Sequence, residues 1–284
     1  MTMGVITIAR GTLGAATQLG ARLAEVLGCR AVSREEVYEA AKPYGIDETG
    51  LGDMSFIDQR PPSFWHPFSD KRQRYLACFQ AALMDLALSG DLVYVGHLAH
   101  LLLSGYRRVL RVRLAAPDAY RVETLVKARG MTEAQAIAYI RDVDERRLRW
   151  SQFLYGVDWR APDLYDLVLN PEKLRLDTMT DAVVTIARSI EMQPTDFDRE
   201  QLRNLRLVAV SRAALLRSPR TRGLEVTIEA DATSGHVRVY GVAPSVGIVG
   251  VDTWERDLRA SLVDVPGVAA IEIVGERAPP GLTD

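Results

Sequence analysis

The opening residues GVITIA form a short apolar, β-branched run, and AATQLGARLAEVLG behind it repeats its apolar positions at helical spacing as far as Gly28. A strand running straight into a helix opens a βα unit. REEVYEAAKPYG predicts a second helix, halted near Pro43, and KRQRYLACFQAALMDLALSG predicts a long third one ending at Gly90. DLVYVG and VLRVRLAA read as buried strands, and YDLVLN as a later one. PDAYRVETLVKARG and TEAQAIAYIRDVDERRLRWSQFLYG predict two more helices, the second opened by Thr132 with an acid close behind, and DTMTDAVVTIARSIEM closes the region as a helix. This alternation predicts an α/β architecture, a mostly parallel sheet wrapped by helices. Residues 46–70 break it with glycine, proline, acids and aromatics in no period, as a long loop or short helices covering a site would.

The pattern changes again at QPTDFD, a polar joint. REQLRNLRLVAVSRAALLRS then predicts a helix, GLEVTIEADATSGHVRVYGVAP two alternating strands around a turn, TWERDLRASLVD a helix and VAAIEIVG a strand. That αββαβ order is expected to form a small separate α+β domain. The resulting division is residues 1–192, a linker at 193–204, a second domain at 205–276 and a loose tail at 277–284.

Composition adds little to this picture. The 284 residues are 48% hydrophobic and 25% charged with a formal net charge of -2, which suits an ordinary globular chain and gives no global pull toward nucleic acid or anionic membrane. Cys29 and Cys78 belong to no C-x-x-C pair, so buried free thiols are expected rather than a disulfide framework or thiolate metal site. The N-terminus lacks a signal-type apolar core, and LVYVGHLAHLLL is shorter than a spanning helix and carries two histidines, so a cytoplasmic location is expected.

The candidate chemistry lies in ARGTLGAATQLG, residues 9–20, directly after the first strand. A phosphate loop brings backbone N–H groups and a helix N-terminus onto an anion, while a lysine adds charge and a hydroxyl holds magnesium. Measured against G-x-x-x-x-G-K-[ST], Gly11 fits the first glycine, but Ala16 stands at the second, Thr17 at the lysine and Gln18 at the hydroxyl. What remains is a strand, a small-residue loop and a helix, with Gly11 and Gly14 for turns, Thr12 and Thr17 as hydroxyls, and Arg10 as the nearest cation. On these residues alone, a plain βα turn and a phosphate site are both open.

Several stretches together resemble the cytidylate kinase-like family of P-loop nucleotide kinases. ITIARGTLGAATQLGARLAEVLG is similar to that family's first strand, glycine-rich loop and helix, and SREEVYEAAKPYGI to the segment framing the acceptor nucleotide. VYVGHLAHLLL resembles a strand leading into a Gly-Arg-Gly-Ala turn, VLRVRLAAPDAYRVETL a later strand with its following arginine, and RDVDERRLRWSQFLYGVDWRAPDLYDLVLN the lid. The similarity spans roughly residues 4 to 190 and implies a P-loop kinase-like fold that transfers the ATP γ-phosphate to a nucleoside monophosphate such as CMP, with Mg2+. By position it implies that Arg10, Gly11, Thr12, Leu13, Gly14, Ala15, Ala16 and Thr17 flank the donor phosphates. It implies catalytic roles for Arg10, Arg121, Arg141 and Arg147, acceptor-side roles for Arg34, His97, Arg121 and Asp144, and no resident protein metal site. Two departures stand out: the family's Gly-Ser-Gly-Gly is here Leu13, Gly14, Ala15, Ala16, whose methyl groups are expected to crowd a phosphate, and the family's turn arginine is His97.

The C-terminal part, through GHVRVYGVAP and VPGVAAIEI, looks like a BON domain over about residues 205 to 276. That resemblance implies attachment to membrane, protein or ligand and no catalysis. Other readings stay open. The lid arginines could be a solvated helix face paired with Asp142, Asp144 and Glu145. His97 and His100 could pack or share a metal, packing being the expectation. The arginine-rich helix from Arg199 could dock on its own sheet or touch lipid or nucleic-acid phosphates. RPPSFWHPF could be an acceptor flap or a subunit interface. The whole chain is either an active kinase with a degenerate loop or a non-catalytic kinase-fold protein with an attachment or sensing module.

Overall fold

The computed structural model describes residues 4–9, 14–49, 70–96, 99–242 and 251–276. In the N-terminal part, β1 (Val5–Ala9), β2 (Arg30–Ser33), β3 (Leu92–Gly96), β4 (Val109–Leu114) and β5 (Leu167–Leu169) form one parallel sheet in the order β2-β3-β1-β4-β5. Its helices are α1 (Ala15–Leu27), α2 (Arg34–Ala41), α3 (Asp70–Leu88), α4 (Ala99–Leu102), α5 (Asp118–Arg129), α6 (Glu133–Tyr155) and α7 (Leu176–Ala187). All five residues of β1 are buried because both faces of the sheet are covered. On one face Ile6, Ile8, Leu110 and Val112 pack with Leu19 and Leu23 of α1 and Met179 and Val183 of α7. On the other, Val5, Leu92 and Tyr94 pack with Val37 of α2 and Leu83 and Met84 of α3.

The expected strands and helices of this part form. β2 is an addition, and its weak signature explains why no pattern pointed to it. It is a four-residue edge strand in which Arg30 and Ala31 are exposed and Val32 alone is buried. Within the irregular stretch 46–70, residues Ile46–Thr49 form a 3-10 turn and Asp70 begins α3; residues 50–69, with RPPSFWHPF, lie outside the described residues.

The C-terminal part follows the expected order: α8 (Asp196–Arg217), β6 (Val226–Asp231), β7 (His236–Val242), α9 (Val251–Leu262) and β8 (Ala270–Glu276). β7 is central, antiparallel to β6 and parallel to β8. Residues 196–204 of the stretch expected as a linker are the first half of α8, opened by a capping box between Thr195 and Asp198. Nor does α8 dock on its own sheet alone. Leu202, Leu207, Ala209, Val210, Ala213, Leu215 and Leu216 are all buried in a core that also holds Leu83 and Met84 of α3, Ile228 of β6, Val239 of β7 and Trp254 of α9. The helix is therefore walled by α3 on one side and by the small sheet on the other.

Polar contacts fix this junction. Arg206 of α8 donates from Nε to Asp85 of α3 at 2.7 Å, and Tyr44 donates its hydroxyl to the same carboxylate. Asp198, 3% exposed at its side chain, accepts from Arg108 Nε at 2.9 Å and from the Thr195 hydroxyl at 2.6 Å. Asn204 accepts from the Ala232 amide at 2.8 Å. Among the described residues no helix is long and apolar enough to cross a membrane.

Candidate functional site

In an open parallel sheet, ligands bind outside the carboxyl ends of the strands, where the strand order reverses. Here that place is the end of β1, where Ala9 is level with Gly96 of β3 and Arg113 of β4. The chain leaves β1 and enters α1 through Gly14, whose φ of 70° is a left-handed conformation that a residue with a Cβ adopts only with strain. The amides of Thr17 and Gln18 both donate to Gly14 O, at 3.0 and 3.1 Å, and among the described residues no side chain caps the helix. By contrast α2, α6 and α8 each carry a capping box. The N-terminus of α1 thus keeps its positive dipole end and leading amides turned toward the strand ends, which suits an anion.

Around it, the positions singled out in the sequence differ in what they face. Arg10, Gly11, Thr12, Leu13 and His97 lie outside the described residues. Ala15 is half-buried, whereas the side chain of Ala16 is turned into the core with Ile6, Ile8 and Leu19. Its methyl group therefore packs against the sheet. Thr17 and Gln18 are exposed.

Arg121, in the first turn of α5, reaches across to α6 and grips Asp144 with both terminal nitrogens, at 2.7 and 2.8 Å, while also pairing with Asp118 at 2.9 Å. Burial works against its charge, but Asp144 and Asp118 outweigh that cost and raise its pKa. Elsewhere on α6 the half-buried Arg146 pairs with Asp142 at 2.8 Å and the exposed Arg149 with Glu145, both one turn apart. Arg141 is exposed and lines a groove of about 620 Å3 between α5 and α6 with Asp118, Val122, Ile137 and Ile140. Arg147 lies one turn beyond Asp144 and places its guanidinium 5.9 Å from the centre of the Trp159 ring.

Trp159 and Tyr165 pack with Ala9 at the end of β1, and the Tyr165 hydroxyl donates to Trp159 O at 2.7 Å. Burial pushes the Tyr165 hydroxyl up to about 12. A second guanidinium enters this cluster. Arg113 lies 5.0 Å from the Trp159 ring centre and 5.7 Å from that of Tyr165, and donates to Arg160 O. It was not singled out above, although the sequence holds a sign of it: β4 reads V-L-R-V-R-L, with two arginines on one face of a strand in the middle of a buried sheet.

Arg34 occupies the first position of α2, where the Ser33–Glu36 capping box fixes the helix start. It donates to the Tyr75 hydroxyl of α3 at 3.0 Å. Burial opposes its charge, and Tyr75, Tyr94 and Tyr155 around it more than offset this, so its pKa is raised. Tyr155, the last residue of α6, packs against both the main core and the Trp159 cluster, so the α2–α3 side and the lid side meet there. His100 is buried edge-on to Tyr165, and among the described residues no three His, Cys, Asp or Glu side chains form a metal-holding group.

A sequence model of the cytidylate kinase-like family matches residues 5–173 of this chain. A cytidylate kinase of Methanopyrus kandleri is 28% identical over 178 residues, covering 60% of this chain and 85% of that protein. A solved structure from Eubacterium ventriosum ATCC 27560, titled as an uncharacterized protein, has a TM-score of 0.51 at 21% identity and covers 65% of this chain and 98% of its own. The family match takes in every strand of the parallel sheet and stops before α7, so both the fold and the strand-end crevice fall inside it. The chain belongs to the cytidylate kinase-like family, which implies nucleotide kinase-type phosphotransfer and general use of ATP and Mg2+.

Proposed function

We propose that the chain transfers the γ-phosphate of ATP to a nucleoside monophosphate such as CMP, with a phosphate loop that lacks the usual lysine. The observation that carries this reading is the uncapped N-terminus of α1 at the end of the central strand, facing a lid helix that brings arginines to the same end of the sheet. An exposed Thr17 hydroxyl, the positive dipole end of α1 and guanidinium groups on the lid suit a polyphosphate, so the residues present fit ATP.

When bound, ATP would supply the transferable phosphoryl group and Mg2+ would neutralise part of the phosphate charge. The protein's share is positioning and charge. The first turn of α1, with Gly14, Ala15, Ala16 and Thr17, holds the donor phosphates. Arg121 is oriented by the two-pronged grip of Asp144, and Arg147 is oriented by the face of Trp159. Arg34, fixed by Tyr75, frames the acceptor. Tyr155, Trp159 and Tyr165 close the strand ends with apolar surface that excludes water.

A second reading, a non-catalytic kinase fold, is favoured by Thr17 and Gln18 at the lysine and hydroxyl positions of the loop. In both readings residues 205–276 act as a BON-like attachment or sensing module for a membrane or protein, supported by its αββαβ order. Titration of the full chain with ATP and Mg2+ in a calorimeter separates the readings. Saturable heat that weakens in Arg10→Ala, followed by ADP release dependent on CMP in a monophosphate panel, is expected of the kinase. Absence of heat together with an unshifted melting temperature would leave the non-catalytic fold.

A further inference from the structure

We propose that Arg113 supplies, from the sheet, the positive charge that the phosphate loop lacks at Thr17, and so contacts the donor polyphosphate; this rests on the kinase reading above. Three observations place it there. First, β4 sets Arg113 level with Ala9, the last residue of β1 before the loop, and Arg113 packs with the same Trp159 and Tyr165 that cover Ala9. Second, its charge is handled differently from that of its neighbour on the same face. Arg111 is locked to Asp166 by Nε and Nη2, at 3.0 and 2.5 Å, as a structural arginine in a sheet should be. Arg113 has two ring faces and one backbone carbonyl, and among the described residues its buried Nε meets no acceptor.

Third, nearby carboxylates are engaged elsewhere. Asp158 is taken by Arg160 through both oxygens, at 2.9 and 2.7 Å, and Asp144 by Arg121. Arg113 and Arg147 both stand against Trp159 at the strand end. Burial lowers the pKa of Arg113, the reverse of what is found at Arg111, as befits a buried cation that no carboxylate grips among the described residues. A planar guanidinium that is stacked, desolvated and not held by a carboxylate is preorganised for a phosphate.

The test is titration of the full-length chain and its variants with ATP·Mg2+ and with inorganic triphosphate, alongside melting curves and CMP-dependent turnover. Arg113→Gln is expected to weaken triphosphate affinity at least about tenfold and to lower kcat about 100-fold, the scale for losing one charge-stabilising donor. Arg113→Lys keeps the charge and loses the planar stack, and is expected to retain affinity within about threefold. Adding Thr17→Lys to Arg113→Gln is expected to recover about tenfold, because a charge is restored at the other side of the loop. Wild-type affinity and kcat in Arg113→Gln would overturn the assignment and leave the kinase reading standing. So would a folded Arg113→Lys variant that binds triphosphate at least about tenfold more weakly than the wild type, the mark of a residue that only packs; this outcome still decides if Arg113→Gln fails to fold. A wild-type chain silent toward both ligands would overturn the kinase reading and this assignment with it.

Discussion

Ala15 and Ala16 are adjacent, of one type, and stand where a phosphate loop is usually glycine, yet Ala15 lies half-buried at the rim of the core and Ala16 fully inside it. Ala15→Gly should therefore raise nucleotide affinity in a calorimetric titration. Ala16→Gly should not, and should instead cost about 1 kcal/mol in a denaturant melt through the lost buried methyl and the freer backbone. Gly96 has the opposite constraint. A Cβ there would sit 2.0 Å from the hydroxyl of Tyr94, a ring only 1% exposed, so Gly96→Ala must displace that ring. The expected cost is about 1–3 kcal/mol. Because Tyr94 neighbours Arg34, the acceptor KM should rise more than kcat falls, which a CMP titration of the variant would show. Residue identity alone could not separate the two alanines. Direction of a side chain at the first turn of a helix depends on where that turn begins, and Gly14 sets that start.

Among the elements, long periodic helices and buried strands were legible because their apolar spacing is dictated by two covered faces of a sheet. β2 was not, since an edge strand with one buried residue leaves almost no pattern. Arg113 was passed over for a related reason: a charge in a strand reads as noise until its register against β1 is known. α8 was legible as a helix but not in its surroundings, as burial on two sides looks in sequence much like an amphipathic face with extra leucines. Its partnership with α3 gives a direct expectation. Arg206→Ala removes the charged donor to Asp85 and leaves that carboxylate with Tyr44, which should destabilise the chain by about 1–2 kcal/mol in thermal or urea melts. Arg212→Ala, on the exposed side of the same helix, should have no measurable effect.

For the molecule as a whole, pH is a probe of the packing at the strand ends. Burial lowers the pKa of His100 from 6.5 to about 4, with Arg111 adding to the shift and Asp166 opposing it. A histidine held neutral in the fold contributes stability that is complete above about 6.5 and is lost as pH falls toward about 4, because the unfolded chain takes up the proton first. The loss approaches on the order of 3 kcal/mol at the acid end of that window. Urea melts across this range should show the decline, and His100→Gln should flatten it. At lower pH still, Asp198 and Asp166, both with lowered pKa, add their own loss as they protonate. The overall α/β then α+β order was legible throughout, whereas the sharing of one core by both parts was not, because it is made by contacts between residues more than a hundred positions apart, as between Asp85 and Arg206.

That shared core bears on how such a protein can be cut, fused or exchanged. A boundary drawn at the polar joint would part a helix from one of its two clients. Residues 196–276 moved onto another protein would carry one wall of α8 shaped for α3, with Arg206 reaching for an absent carboxylate. Residues 1–192 left behind would show water the apolar flank of α3. Neither fragment is a spare part, and a graft of the C-terminal piece would need a host helix offering an acid and leucines in the same places.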